Sequence, residues 1–438
     1  MSPIARTAPL VALLAACGFP KPADVGDVPA DAEPGVALHV APTGDDANDG
    51  LVLPVKTLKH AIGLAAANAK ITSIVLASGR YATAGGETFP YSVPASLTIV
   101  GPAGGGAILA GSMTEQGMVV DGGALKDLEL EDFTTAISAI GPATLTGLQV
   151  RTNMVALHAE ATAPLNIDNL DISGSVATCA TGIVLTGSTS LVAATLVTRN
   201  LGTTLDARDQ SSIDVSKASI VGDRGCTQAV MPITSSGTFT ISDSTLDGGH
   251  DGISLSPKAG ALQATIRDSV LRNFKRDAVI GGSSNGSSVS LQMTGTGLLN
   301  NGQGGAELFA GTWSLTNVTA KQNAAFGIYL EDGDLVMRGC TVTENDNGVS
   351  LLFPSRVDLG TIDNLGNNIL QNNTYVGLYY DSSRIQVDAI GNTWNPSVQG
   401  ADIFGRYSTV AILQGPIPPA LHNNYLMNCD PGQCTLRR

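Results

Sequence analysis

The chain has 438 residues, of which 14% are charged and 4% aromatic, and it contains 51 glycines. This length with so many small residues fits one elongated repetitive domain better than two globular ones. With 24 Lys and Arg against 38 Asp and Glu, the net charge is −14. No broad basic surface is left to neutralise phosphates, so nucleic acid is excluded as a partner.

The chain opens on "MSPIARTAPLVALLAACGFP", with one positive charge at Arg6 and an apolar run too short to span a bilayer. The tetrad LAAC, Leu14 to Cys17, resembles the bacterial lipobox. That resemblance implies a signal peptide over 1–16, cleavage before Cys17, and lipid on its thiol and new amino terminus. An ordinary signal peptide is the alternative. Residues 17–35 mix Pro, Ala and Asp without periodicity and read as a disordered tether. The expected partner is therefore a membrane reached through the lipid anchor. The expected location is the cell envelope, as an outer-membrane lipoprotein, or the extracellular space.

Residues 36–111 read as a cap with the first coils. "DDAND", Asp45 to Asp49, suits a turn in which Asp and Asn side chains bond nearby backbone amides. Weak Ca²⁺ binding by Asp45, Asp46 and Asp49 is the alternative, although the twelve-residue loop with its distal Glu is missing. No other cofactor or metal is implied. In "PVKTLKHAIGLAAANAK", Thr57 can N-cap a short helix whose Leu58, Ala61, Ile62 and Ala65 make one apolar stripe. Such a helix would cover the open end of the first coil.

Residues 112–400 repeat a short pattern: an alternating strand, a stop at Asn or Asp, a turn, and a Gly-Ile-x-Leu type strand. The stops fall at Asn200, Asp223, Asp247, Asn273, Asn300, Asn323, Asn345 and Asn372, spaced by 22 to 27 residues. A period in this range without paired helices signals a β-solenoid of roughly a dozen coils. Asn is expected at one stacked corner, because it tolerates left-handed backbone and its amide bonds to the neighbouring coil. Ala218, Ser244, Ser269, Val318 and Cys340 should stack inside the tube, which makes Cys340 a packed thiol rather than a nucleophile.

The linked motifs "HVAPTGDDANDG", "PVKTLKHAI", "SIVLASGRYAT" and "GETFPYSVPASLTIVG", within about residues 37 to 111, closely resemble one module. It is the N-terminal module of a bacterial family of unknown function attached to right-handed parallel β-helices of the pectin-lyase-like superfamily. "GNTWNPSVQGAD", Gly391 to Asp402, resembles that family's usual finish. The resemblance implies an all-β right-handed parallel β-helix in an extracellular habitat, with no established common reaction.

Enzymes of that superfamily usually place their sites on the outer face of one parallel sheet and its turns. A shift of 26 residues puts His250 over Arg276 and Asp251 over Asp277. Carboxylates one coil apart, at about 5 Å, would raise one another's pKa. His250, Asp251, Arg276 and Asp277 are the catalytic candidates for glycoside cleavage, one carboxyl protonating a leaving oxygen while another stays ionised. "GHDG" resembles the Gly-His-Gly of polygalacturonases, but their adjacent Asp-Asp pair and Arg-x-Lys motif are missing. Structural pairing of Arg276 with the two Asp residues is the competing reading. Ser254, Ile280, Glu307, Tyr329, Ser350 and Tyr379 should form one outward column, with Glu307, Tyr329 and Tyr379 as sugar-binding candidates. Lys258, Arg267, Arg272, Lys275 and Arg276 fall within 19 residues and read as a basic patch. Carbohydrate binding or processing, by a hydrolase or a lyase if an enzyme, is the leading function; a structural or adhesive surface protein is the rival.

Residues 401–438 read as a C-terminal cap or tail. "CDPGQC" surrounds a Pro-Gly turn that can close a Cys429–Cys434 disulfide. Cys179, Cys226 and Cys340 remain, an odd number that leaves one thiol free.

Overall fold

The computed structural model describes residues 35–152, 154–160, 164–175, 178–284, 286–361, 363–381 and 387–394, and the strands 403–405, 426–430 and 433–437. It is a right-handed parallel β-helix of about 12 turns. One sheet holds 14 strands; a second holds 26 because two faces of the rod run together in it. They merge where the long strands Ala143–Thr152, Pro164–Gly174 and Ser190–Leu201 bend without a break. The bends coincide with Gly147, Asn169 and Thr195, each at positive φ.

Alternation along each strand builds the core. Ile253, Val279, Ala306, Ile328, Val349 and Leu378 are successive partners in the 14-stranded sheet, and all are fully buried. A slip of one residue would turn this column outward, and each large member would forfeit about 1.5–3 kcal/mol of burial.

Two corners are marked by left-handed backbone. At the first, Lys217, Asp243, Asp268, Gly295, Asn317, Gly339 and Asn367 have φ between 49° and 62°. The next residues, Ala218, Ser244, Ser269, Thr296, Val318, Cys340 and Asn368, are buried. The Ser244 hydroxyl accepts from the Ala218 amide at 2.9 Å, and that of Ser269 from the Ser244 amide at 3.1 Å. The small-residue stack thus lies inside the tube, and Thr296 and Asn368 belong to it as well. Burial pushes the Cys340 thiol up to about 11, so it is no nucleophile.

At the second corner the sequence reading needs correction, because Asn300, Asn323, Asn345 and Asn372 are not one series. Asn300, Gln322, Glu344 and Asn372 occupy the left-handed position, with φ of 57° to 58°. Asn301, Asn323, Asn345 and Asn373 follow it and form the buried ladder. Their amide nitrogens donate to the next carbonyl oxygen at 2.8, 2.9 and 3.0 Å. Both adjacent positions favour Asn, for different reasons, so the two columns merge in sequence. Earlier in the rod Gly248, not Asp247, takes the corner: Asp247 pairs with Arg272, and Gly248 has φ 75°.

Asn345→Ala would strand the Asn323 amide and the Ala320 carbonyl, both now bonded to the Asn345 side chain. The expected loss is about 2–3 kcal/mol, read as a lower urea midpoint; an unchanged midpoint would deny the ladder this role.

The N-terminal end is closed as its sequence suggests. The helix Leu58–Ala67 is capped by Thr57, whose hydroxyl accepts from the His60 amide at 3.1 Å. Leu58 and Ala61 are buried, and Ile62 and Ala65 pack against the core. Glu87, which no local pattern had marked, accepts from the Leu58 and Lys59 amides and the Tyr91 hydroxyl. Its buried charge thus faces the positive end of the helix. Strand Val36–Val40 pairs with Ile71–Leu76 on one side. On the other, His39 bonds Gly50 and Val55, and Val40 bridges Val55. Gly50–Val55 is therefore the outermost backbone layer of this sheet at this end, beside the capping helix.

Candidate functional site

Strands Asp251–Leu255, Val279–Gly281, Gly304–Leu308 and Phe326–Glu331 lie side by side in the 14-stranded sheet. The turn before the first contains Gly248 and Gly249, with φ 75° and 101°. A Cβ on Gly249 would lie 2.5 Å from Val230, so this sharp turn needs glycine to deliver His250 and Asp251 to the strand. The 26-residue register holds: Ile253 pairs with Val279, and the Asp277 amide donates to the Asp251 carboxylate at 3.4 Å.

His250 Nδ1 sits 3.0 Å from the Asp251 carboxylate. The Arg276 guanidinium reaches Asp251 at 3.9 Å and Asp277 and Glu307 at 3.6 Å each, and donates to Gln303 at 3.2 Å. The structure thus brings His250, Asp251, Arg276 and Asp277 together and adds Glu307, which the sequence reading had among the sugar-binding candidates of the same face. One guanidinium faces three carboxyl groups.

Two of those carboxyls are buried. Asp251 is 8% exposed and Asp277 0%. Neither oxygen of Asp277 makes a well-formed hydrogen bond among the described residues; the Gly304 amide and the Glu307 carboxyl approach it only loosely. In the next coil Gly304 stands opposite Asp277, since Val279 pairs with Ala306. A Cβ there would lie 2.0 Å from the Phe326 ring. The ring fills the space that a side chain stacked on Asp277 would take.

Burial, then Glu307, pushes the Asp277 carboxyl up to about 7 against the opposing pull of Arg276, and Asp251 adds to the rise. Glu307 is also raised, by burial and by Asp251, again against Arg276. The cluster holds a proton close to neutrality. Glu307 and His250 keep 16% of their side chains exposed and Arg276 43%, so solvent reaches the cluster through them and not through Asp277.

The outward column runs as its sequence spacing indicated: Ser254, Ile280, Glu307, Tyr329, Ser350 and Tyr379 are successive partners. Tyr329 packs against Phe326 at 5.3 Å and Phe309 at 6.5 Å between ring centroids. Its hydroxyl donates to Glu331 at 2.9 Å, and that of Tyr379 to Asp381 at 3.3 Å. Burial and Glu331 raise the Tyr329 phenol. The repeated Tyr-x-acid spacing of "YLE" and "YYD" was a readable signal for Glu331 and Asp381; nothing local marked Phe326 or Gln303.

The expected basic patch does not form as one surface. Arg272 pairs with Asp247 at 2.9 Å and Arg276 joins the carboxyl cluster. Arg267 lies in the other sheet and Lys258 follows the far end of the Asp251–Leu255 strand. Closeness along a coil of this length does not mean closeness in space.

Cys179 and Cys226 form a disulfide, and Cys340 is the free cysteine among the described residues. The bond ties the turns preceding strands Thr181–Leu185 and Ala229–Ile233, the latter one coil before the His250 turn. Cys429 and Cys434 stand opposite each other in an antiparallel pair of strands, but their side chains, like Cys17, lie outside the described residues.

In the opening loop, Asp46 accepts from the Lys56 and Thr57 amides and the Thr57 hydroxyl at 2.8–2.9 Å. Burial opposes these bonds, yet they hold the Asp46 carboxyl below its ordinary range. Asp45 and Asp49 accept from the Ala47, Leu51 and Val52 amides. The acidic side chains are thus engaged with backbone, as in a structural turn.

Among solved structures, the chain is similar to the catalytic domain of a GH87 α-1,3-glucanase in complex with nigerose, at 10% identity and a TM-score of 0.45, covering 86% of this chain and 68% of that one. It is also similar to a rhamnogalacturonan lyase, at 13% identity and a TM-score of 0.30, covering 84% and 87%. The A-module of the Azotobacter vinelandii mannuronan C-5 epimerase AlgE6 matches at 9% identity and a TM-score of 0.24, covering 78% and 84%. Likeness this distant leaves function to be argued from the chain's own residues. No curated protein matches the sequence. A family model matches residues 42–399, most of the chain, and the protein therefore belongs to the family described as protein of unknown function (DUF1565).

Proposed function

We propose that this protein binds and cleaves carbohydrate on the outer face of its 14-stranded sheet, displayed at the cell envelope on a lipid anchor at Cys17. The observation that carries the reading is the cluster of Asp251, buried Asp277 and partly exposed Glu307 around one guanidinium, with the Asp277 carboxyl pushed up by burial and by Glu307. Glycosidic cleavage needs two carboxyl groups of unequal proton affinity, one to protonate the leaving oxygen and one to act as base or nucleophile. Asp277 is too deeply buried to touch a sugar. Glu307, raised and partly exposed, is the group that would donate, with Asp277 behind it as a proton reserve. Asp251, positioned by His250 and the Asp277 amide, supplies the second carboxyl. Arg276 would balance charge and face an anion or a sugar hydroxyl, and Tyr329 would offer a platform one coil away.

A second reading has an observation of its own: Arg276 contacts all three carboxyls, as it would in a rod that only holds a spacing or adheres. A glycan array on the purified protein separates the two, with product analysis of each hit. Binding without turnover, or no binding at all, favours the scaffold.

The envelope location draws support from the Cys179–Cys226 disulfide, which belongs in an oxidising compartment. Cys17→Ser is expected to accumulate as an unprocessed precursor without acyl chains. Cleavage of that variant at the same bond, with no lipid mass on the wild type, would replace the anchor with ordinary secretion.

A further inference from the structure

We propose that the apolar tip Leu51–Leu53 docks the N-terminal end of the rod onto the phospholipid surface that carries its anchor. The proposal rests on the anchor reading of Cys17. Leu51, Val52 and Leu53 are 51, 85 and 58% exposed. They are three consecutive large apolar residues in water, whereas elsewhere among the described residues such side chains are exposed only singly. An exposed run of this kind marks an interaction surface. The run is not a loose loop. Asp49 accepts from the Leu51 and Val52 amides, and the Gly50 amide donates to the Leu53 carbonyl at 3.1 Å. The same hydrogen bonds hold the side chains outward, while Val55 and Leu58 just beyond them are fully buried.

Its position selects the occupant. Gly50–Val55 is the outermost backbone layer of its sheet at the N-terminal end, beside the strand Val36–Val40 that residues 18–35 precede. Residues 18–35 cannot hold that strand farther than about 60 Å from an acylated Cys17, so the tip stays within reach of the bilayer as part of the same molecule. A weak contact then suffices, because the second attachment has a high effective concentration. Lys56 and Lys59 are exposed beside the tip, and Asp45, Asp46 and Asp49 more than offset them. That balance suits a zwitterionic headgroup layer better than a strongly anionic one. Three apolar side chains entering the interface would set the rod upright, with its carboxyl cluster several coils above the lipid.

The test uses the full lipidated protein in phosphatidylcholine vesicles and the variant Val52→Trp. The chain has two tryptophans, of which Trp313 is fully buried and Trp394 partly so, and wild-type emission is subtracted. With brominated acyl chains in the bilayer, the added emission should shift to the blue and fall by about twofold or more, as for an interfacial residue. Tyr375→Trp, at an exposed site near the opposite end, should be unaffected. Vesicle-bound Val52→Trp protein whose added emission ignores the bromine would overturn the docking while leaving the anchor intact. Protein that neither floats with vesicles nor carries acyl mass would remove anchor and docking together. A blue shift without lipid that grows with protein concentration would assign the tip to self-association and reject the membrane.

Discussion

Glu307→Gln is expected to lower kcat on any cleaved oligosaccharide by about 10²–10⁴-fold, the usual contribution of a general acid, with almost no change in melting temperature. Glu307 is partly exposed, and among the described residues its ion-pair partner is Arg276 at 3.6 Å, so the amide replaces it at little structural cost. Asp251→Asn should remove turnover as well, but not at constant stability. Asp251 is 8% exposed and receives the Asp277 amide, and a misplaced amide nitrogen there would cost about 1–3 kcal/mol. Activity measured with a denaturation curve on each variant separates the two effects. Full activity in Glu307→Gln would remove it from the chemistry.

The second large effect concerns stability and pH. The folded pKa of Asp277, about 7, stands above its ordinary 3.8. The folded chain therefore keeps a proton that the unfolded chain releases. Unfolding then gains favour as pH rises from about 4 through 7, by an amount on the order of 4 kcal/mol when complete. The favourable contribution is present at low pH and lost at high pH, the reverse of an ion-paired carboxylate. Asp277→Asn carries no such titration. Its urea midpoint should change far less than wild type between pH 5 and 8, and at pH 8 the variant should be the more stable protein. Parallel profiles for the two would mean that Asp277 is ionised throughout, and the proton reserve would vanish with it.

The fold was legible because a solenoid repeats its instructions. The Gly-Ile-x-Leu strands, the helix stripe from Leu58 to Ala65 and the outward column from Ser254 to Tyr379 all depend on spacing alone, and spacing survives in one sequence. The Asn corner was legible only in part, since adjacent positions that both accept Asn cannot be separated without knowing which backbone turns left-handed. Gln322 and Glu344 hid one column by taking its place.

At the site, register predicted which residues meet, and Asp251, Asp277, His250 and Arg276 do meet. Burial was not legible there. Asp277 looks like a polar turn residue until Phe326, 49 positions later, is seen to fill the gap over Gly304. The missing side chain at Gly304 and the ring beside it help to bury a carboxyl that belongs to neither segment, and Glu307, Asp251 and Arg276 then set the balance of its proton affinity. Cys179 and Cys226 were equally silent, because their pairing depends on how two turns of different coils align.

The account stands or falls on whether bonds are cleaved at this face. The direct measurement is to incubate the protein with each oligosaccharide it binds in ¹⁸O-labelled water and resolve the products by mass. A hydrolytic site predicts shorter fragments carrying one ¹⁸O at the new reducing end, formed by wild type and Tyr375→Ala but not by Glu307→Gln or Asp251→Asn. Unsaturated fragments without ¹⁸O would replace hydrolysis with elimination. No fragments from any bound glycan, with all four proteins alike, would contradict catalysis and leave Arg276 and its three carboxyls as a structural charge cluster.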